Sequence, residues 1–108
     1  MGYLYLIGET DSTDTYKIGV TRKNNINERK RELQTGNSTE LYIRYTYETE
    51  NPYKLEKMLH RHYFAKHKFN EWFTLTELDA KEFINTCKKY DNIINSLKDN
   101  PFYNRKSS

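Results

Sequence analysis

The 108-residue sequence has a single cysteine, Cys87, and this scarcity excludes two kinds of structure. One thiol cannot form a disulfide within the chain, and it cannot supply the paired cysteines of a zinc finger. Long apolar runs are also missing, because the apolar start at residues 3–7 is too short for a membrane span and has no basic segment before it. These absences predict a protein of the cytoplasm or nucleus that is neither secreted nor bound to a membrane.

Glycine and proline are scarce as well, with four and two residues. No glycine-rich loop that could cradle a phosphate is present, and no nucleophile elbow. Hydrophobic residues make up only 35% of the chain, but ten tyrosines can bury their rings while leaving hydroxyl groups in a site. The length predicts a single domain with one modest core.

Positive charge is clustered, although the net charge is only +3. Cationic side chains outnumber anionic ones in residues 17–32 and 54–68, whereas the charged side chains of the first sixteen residues are all acidic. Two basic segments in a small fold suit a polyanion, but solvated surface lysine explains the charge alone equally well. The residues predicted to contact nucleic acid are Arg22, Lys23, Lys30, Arg31, Lys57 and Arg61.

Residue patterns predict an α+β domain over residues 1–98, followed by a flexible tail over 99–108. Apolar and β-branched runs predict strands at 3–7, 16–20 and 41–47, of which the first two are close enough to form an antiparallel hairpin. Residues 71–75 are a further short strand or extended segment. The expected core is a three-stranded antiparallel sheet flanked by helices.

Three helices are predicted from their capping residues. Asn25 caps a helix over residues 26–35 that Gly36 ends, and Asn51 caps a second helix from Pro52 to about residue 64. Thr76 begins a third helix over residues 77–97. This last helix can pack on the sheet or on a second copy of the chain, so a homodimer is left open.

One arginine stands out on the first predicted helix. At about 100° per residue, Arg29 points roughly the same way as the core residues Ile26 and Leu33. A charge directed at the core is costly unless an anion pairs with it. Arg29 is therefore either a snorkelling side chain that covers the core or a guanidinium held to grip a phosphate.

The second predicted helix places Glu56 and His60 side by side at the edge of its buried face. They are either a routine surface pair or a metal-binding carboxylate beside a histidine that carries protons or binds phosphate. A zinc site built from His60, His62, His67 and Glu56 is a weaker alternative, because residues two apart on a helix point in different directions.

Several short motifs occur in a recognisable order. They are, in chain order, Tyr3-Leu4-Tyr5, Lys17-Ile18-Gly19, an arginine on the first helix, Leu33-Gln34-Thr35-Gly36, Leu55-Glu56 with Leu59-His60, and Glu71-Trp72-Phe73. Through these motifs the chain resembles the GIY-YIG nuclease superfamily over residues 2–75, most closely the branch of phages, large DNA viruses and some fungi that is often described as a DNA-binding domain. In that branch the second signature reads Lys-Ile-Gly. Tyr3 and Leu4 depart from the glycine and isoleucine of the first signature, and a late asparagine has no clear counterpart.

The resemblance implies catalytic roles for Tyr5, Lys17, Arg29, Glu56 and His60. Glu56 would hold one Mg²⁺ or Mn²⁺, and Arg29 would neutralise phosphoryl oxygens. Tyr5 would act as general base, with Lys17 lowering its pKa, and His60 would share the proton transfer or bind phosphate.

The implied activity is metal-dependent endonuclease hydrolysis of phosphodiesters, with DNA favoured as the substrate. Two alternatives from other classes stay open: a module that binds DNA without cutting it, and a small interaction domain with no nucleic-acid partner.

Overall fold

The computed structural model describes residues 1–22 and 24–98. Five strands form one antiparallel sheet in the order β3-β1-β2-β5-β4. The α+β class is confirmed, but the sheet has five strands rather than the predicted three. The strands are β1 Gly2–Glu9, β2 Thr15–Thr21, β3 Leu41–Thr49, β4 His67–Phe69 and β5 Trp72–Thr74. The predicted tail at 99–108, like Lys23, lies outside the described residues.

The helices lie on both sides of this sheet. The chain forms α1 Ile26–Thr35, α2 Pro52–His62, α3 Glu77–Lys81 and α4 Phe83–Lys98, with a 3-10 turn at Phe64–Lys66. The predicted single helix over 77–97 is interrupted at Glu82, and α4 packs against α2 and β3 of the same chain. No helix in the described part of the chain is long and apolar enough to cross a membrane.

Of the two extra strands, β5 falls within residues 71–75, which were predicted as a short strand or extended segment, whereas β4 was not predicted. All three residues of β4 are exposed, so they carry no burial pattern. Because β5 is short, it pairs with β2 only from Thr15 to Lys17. Beyond that point β2 continues to Thr21 without β5 beside it.

Alternation along β1 divides the core into two layers. Leu4 and Leu6 face α2, α3 and α4, whereas Tyr5 and Ile7 face α1. Tyr5 is fully buried, and its ring lies over Gly19, its partner on β2. A Cβ at Gly19 would collide with the Tyr5 ring, so only glycine leaves space for it.

Two of the predicted caps are confirmed and one is wrong. The Asn25 side chain accepts a hydrogen bond from Asn27 N at 3.0 Å, and Thr76 forms a capping box with Asp79. Asn51 does precede α2, but its side chain does not cap the helix. It donates instead to Asp91 Oδ1 at 2.9 Å and to Asn95 Oδ1 at 3.0 Å.

Asp91 is the centre of a buried polar network that joins β3, α2 and α4. Its carboxylate accepts hydrogen bonds from Thr49 Oγ1 at 2.8 Å, Tyr47 Oη at 3.0 Å and Asn51 Nδ2. Burial and the Asp91 carboxylate together raise the pKa of Tyr47 to about 12. The network fixes the start of α2, and therefore the position of Glu56 and His60 one and two turns later.

We predict that Asp91→Ala lowers the free energy of unfolding by about 2–4 kcal/mol, because it leaves buried donors without an acceptor. Urea unfolding followed by circular dichroism measures the change. Asn92→Ala, an exposed neighbour on the same helix, should stay within about 0.5 kcal/mol of the original chain. Equal stability of the Asp91 and Asn92 variants would show that the network is not structural.

Candidate active site

Tyr5 and Arg29 form an unusual buried pair on the α1 side of the sheet. The Tyr5 hydroxyl and Arg29 Nε are both buried, and neither has a hydrogen-bond partner among the described residues. Arg29 Nη1 donates to Glu32 Oε1 at 3.1 Å, and about one third of the arginine side chain is exposed. Buried polar atoms are normally paired. The nearest available partners here are each other, because Arg29 and the Tyr5 hydroxyl act on each other's pKa as a hydrogen-bonded pair does.

The pKa of Tyr5 is raised, chiefly by burial. The Arg29 guanidinium lies close enough to oppose that increase, whereas the carboxylates of Glu71 and Glu56 add to it. The expectation that Lys17 lowers this pKa is wrong, because the opposing cation is Arg29. Lys17 Nζ instead pairs with Glu71 Oε2 at 3.3 Å and lies over the Trp72 ring, 5.5 Å from its centroid.

Glu56 lies on α2, partly buried at the edge of that helix, as the helical spacing predicted. Burial and the charge of Glu71 raise its pKa, while His60 and Lys17 oppose the increase. The same two carboxylates influence Tyr5, so Glu56, Glu71 and the Tyr5 hydroxyl share one electrostatic environment. Glu71 was predicted only as part of the Glu71-Trp72-Phe73 motif, and its effect on Glu56 and Tyr5 was not predicted from the sequence.

His60 occupies the edge of β2 that β5 leaves uncovered. Its Nε2 lies 3.0 Å from the Ile18 carbonyl oxygen, and its ring meets Phe73 edge-on with centroids 5.0 Å apart. A carbonyl oxygen can only accept, so Nε2 carries the proton and donates it. Nδ1 of the neutral ring is then the atom with a free lone pair.

A hollow opens between the sheet and α1. Lys17 and Trp72 line it from the sheet, and Glu32 and Leu33 line it from α1. Glu32 is also the partner of Arg29, so the hollow borders the Tyr5–Arg29 pair. Of the residues predicted to be catalytic, Lys17 lines this hollow. Glu56 and His60 lie on α2, which packs on the other side of the sheet, and Glu56 is linked to Tyr5 through its charge.

The donor chemistry fits a hard divalent cation with few protein ligands. Among the described residues, no group of three or more histidine, cysteine, aspartate or glutamate side chains is arranged to hold a metal ion. Mg²⁺ commonly takes only one or two carboxylates and fills its other positions with water and phosphate oxygens. Glu56, with Glu71 near it, matches that donor set, and a cation would relieve their repulsion.

The three histidines considered for zinc have separate partners. His62 Nδ1 lies 2.8 Å from the Tyr90 hydroxyl, and His67 Nε2 lies 2.7 Å from the Asn70 carbonyl oxygen. His60 is held by β2, as described above. Each ring is therefore oriented by a different part of the chain.

The cations predicted to contact nucleic acid do not form one surface. Lys30 and Arg31 lie on α1, on one side of the sheet. Lys57 and Arg61 lie on α2, on the other side, where they line a groove with Ile94 of α4. Arg22 stacks on Tyr53 at the start of α2, 5.2 Å from the ring centroid.

Comparison with known proteins identifies one family. The T5orf172 domain, a phage-associated domain linked to nuclease and DNA-binding functions, matches residues 2–88. No curated protein and no solved structure gives a significant match. The matched region includes every described strand, helices α1 to α3 and all of the site residues named above. Because the match covers most of its length, the chain belongs to the T5orf172 domain family.

Proposed function

We propose that this chain is a metal-dependent endonuclease that hydrolyses phosphodiesters of nucleic acid, with DNA as the favoured substrate. The observation that carries the proposal is the buried Tyr5 hydroxyl next to Arg29, on which the charges of Glu56 and Glu71 also act. The likeness of the sequence motifs to the GIY-YIG superfamily and membership of the T5orf172 domain family support it.

The scissile phosphate would bind at the Tyr5–Arg29 pair. Arg29 remains charged at any physiological pH, and Glu32 orients it through Nη1 while leaving Nε available. Donors that are already oriented stabilise charge on phosphoryl oxygens without reorganising during the reaction. Arg29 and the Tyr5 hydroxyl would therefore donate to the non-bridging oxygens or to a water molecule attached to them.

Glu56 would hold a Mg²⁺ or Mn²⁺ ion, assisted by the nearby charge of Glu71. Such an ion stabilises negative charge on the phosphate and on the leaving oxygen. The protein supplies the position of the carboxylate, which the buried Asp91 network fixes through the start of α2. Lys17, which lies over the Trp72 ring, pairs with Glu71 and would keep this second carboxylate near the first.

Proton transfer falls to His60 rather than to Tyr5. The raised pKa of Tyr5 keeps its phenol protonated near neutral pH, so Tyr5 acts as a hydrogen-bond donor. His60 donates from Nε2 to the Ile18 carbonyl oxygen, which leaves Nδ1 to accept a proton from the attacking water. The structure thus favours a division of roles that differs from the sequence-based expectation of a tyrosine base.

We predict that Glu56→Gln reduces Mg²⁺-dependent plasmid cleavage about a thousandfold or more. Charge stabilisation by a metal is worth several kcal/mol, and each 1.36 kcal/mol changes a rate tenfold. In EDTA the variant should still bind DNA, with an affinity that falls steeply as salt rises, because binding to phosphates releases counterions.

The same variant gives a test that does not depend on activity. Mg²⁺ should raise the thermal midpoint of the original chain, since a ligand that binds only the folded state stabilises it. The midpoint of Glu56→Gln should not respond. Glu82→Gln, an exposed carboxylate in the turn between α3 and α4, is the matched control and should cleave and respond like the original chain. Normal cleavage by Glu56→Gln would refute the proposed metal site.

We predict that Tyr5→Phe lowers kcat/KM about 10- to 100-fold, the effect of losing one hydrogen bond to a charged group. Because the pKa of Tyr5 lies above its ordinary value of 10.0, the phenol stays protonated between about pH 6 and 9. The shape of the pH–rate profile across that range should therefore be unchanged. A rise with pH that is present in the original chain and absent in Tyr5→Phe would identify Tyr5 as the base.

A further inference from the structure

A second pocket opens next to His60, at the hairpin formed by β4 and β5. It is lined by His60, Phe64, His67, Asn70 and Phe73. Phe73 forms the buried floor, and the rings of His60 and His67 meet it edge-on at centroid distances of 5.0 and 5.4 Å. Phe64 stands at the rim. The pocket is therefore almost entirely aromatic, and it shares His60 with the proposed catalytic site.

Phe64 is placed where it contributes little to folding. It lies on the 3-10 turn after α2, and 77% of its surface is exposed. Burial of a phenylalanine is worth about 1.5–3 kcal/mol, and a side chain this exposed gains little of that. An open aromatic face beside a nucleic-acid site suits stacking, because every nucleobase presents a π-face to such a ring.

The charge around the pocket suits a polyanion. Residues 64–69 include Lys66, His67 and Lys68 and no carboxylate. Lys66 pairs with Asp79, whereas Lys68 Nζ makes a 3.5 Å contact to Thr15 Oγ1. Basic side chains beside an exposed aromatic ring are typical of surfaces that bind single-stranded nucleic acid.

Asn70 supplies a polar group at the edge of the pocket. Its φ of 50° lies in the left-handed region, which asparagine tolerates better than most residues. Its carbonyl oxygen accepts a hydrogen bond from His67 Nε2 at 2.7 Å, which holds the turn and the histidine ring together. The side-chain amide can then donate to and accept from the edge of a stacked base.

We propose that this pocket binds an unpaired nucleobase, stacked on Phe64, of the strand whose phosphate lies at the Tyr5–Arg29 site. The inference rests on the proposed function for the identity of the ligand, and it adds the class of substrate. The substrate is a single strand, or a duplex with an unpaired nucleotide next to the scissile phosphate. A fully paired duplex has no free base to place there.

Binding of a short oligothymidylate in EDTA, followed by fluorescence anisotropy, tests this pocket without requiring cleavage. Phe64→Ala should weaken binding about 5- to 100-fold, the measured range for loss of one aromatic stacking partner. The same substitution should leave binding of a blunt duplex of equal length unchanged. Asn70→Gly preserves the left-handed backbone while removing the amide, so it should weaken oligonucleotide binding less than Phe64→Ala does.

Two controls make the test specific. Phe69→Ala removes a second exposed phenylalanine of the same hairpin that does not line the pocket, and it should change binding less than twofold. An oligonucleotide with the same phosphates but abasic sugars removes the bases instead. If Phe64 stacks on a base, Phe64→Ala should have no effect on binding of the abasic strand.

Equal losses for Phe64→Ala and Phe69→Ala would overturn the proposal, as would an undiminished effect on the abasic strand. The proposal would also be overturned if the Phe64→Ala protein had the same melting temperature as the original chain and bound oligothymidylate equally well. The pocket and the nuclease can be rejected independently. Cleavage that depends on Glu56, together with binding that does not depend on Phe64, would reject the pocket alone. Binding that depends on Phe64, together with no cleavage that depends on Glu56, would reject the nuclease alone.

Discussion

The candidate site exists because β2 extends further than the strand beside it. β5 pairs with β2 from Thr15 to Lys17, and a hydrogen bond from Ile18 N to the Glu71 carbonyl oxygen at 3.1 Å continues the pairing by one step before the edge of β2 is left to α2. His60 reaches this edge and donates to the Ile18 carbonyl oxygen. Through the gap, carboxylates near α2 influence the Tyr5 hydroxyl, which faces α1 on the opposite side of the sheet. A longer β5 would close the gap and separate the two sets of residues.

The arrangement of the residues around this gap is unfavourable for the free energy of folding. Tyr5 and Arg29 keep buried donors unpaired, and Glu56 is partly buried next to a second carboxylate. Each feature is unfavourable on its own, and folded proteins tolerate such features mainly where function requires them. A bound phosphate would satisfy the donors, and a divalent cation would neutralise the carboxylates. The compensating stability comes from elsewhere, including the two core layers and the Asp91 network.

Local patterns predicted most of the fold. The helix at Ile26–Thr35 and its Asn25 cap follow from spacing and capping chemistry, which act within a few residues. β4 was missed because three exposed residues carry no periodic signal. The Asn51 side chain was assigned to the wrong partner because its true partner, Asp91, is forty residues away in sequence.

For the candidate site as well, local features could be predicted from the sequence and contacts between distant segments could not. Helical spacing predicted that Glu56 and His60 are neighbours and that Arg29 points towards the core, and the structure agrees with both. Spacing cannot show which cation faces Tyr5 or that Glu71 approaches Glu56, because those contacts depend on sheet register and on where β5 ends. The surface cations were grouped by sequence, whereas the sheet separates those of α1 from those of α2.

The most direct test of the account is a crystal structure of the protein with a short DNA strand and Ca²⁺, which replaces Mg²⁺ as an oxygen-liganded cation. The account predicts a phosphate oxygen, or a water molecule bound to it, within about 2.7–3.2 Å of both the Tyr5 hydroxyl and Arg29 Nε, and the cation on Glu56. A strand bound on another surface, with Tyr5 and Arg29 still unpartnered, would contradict it.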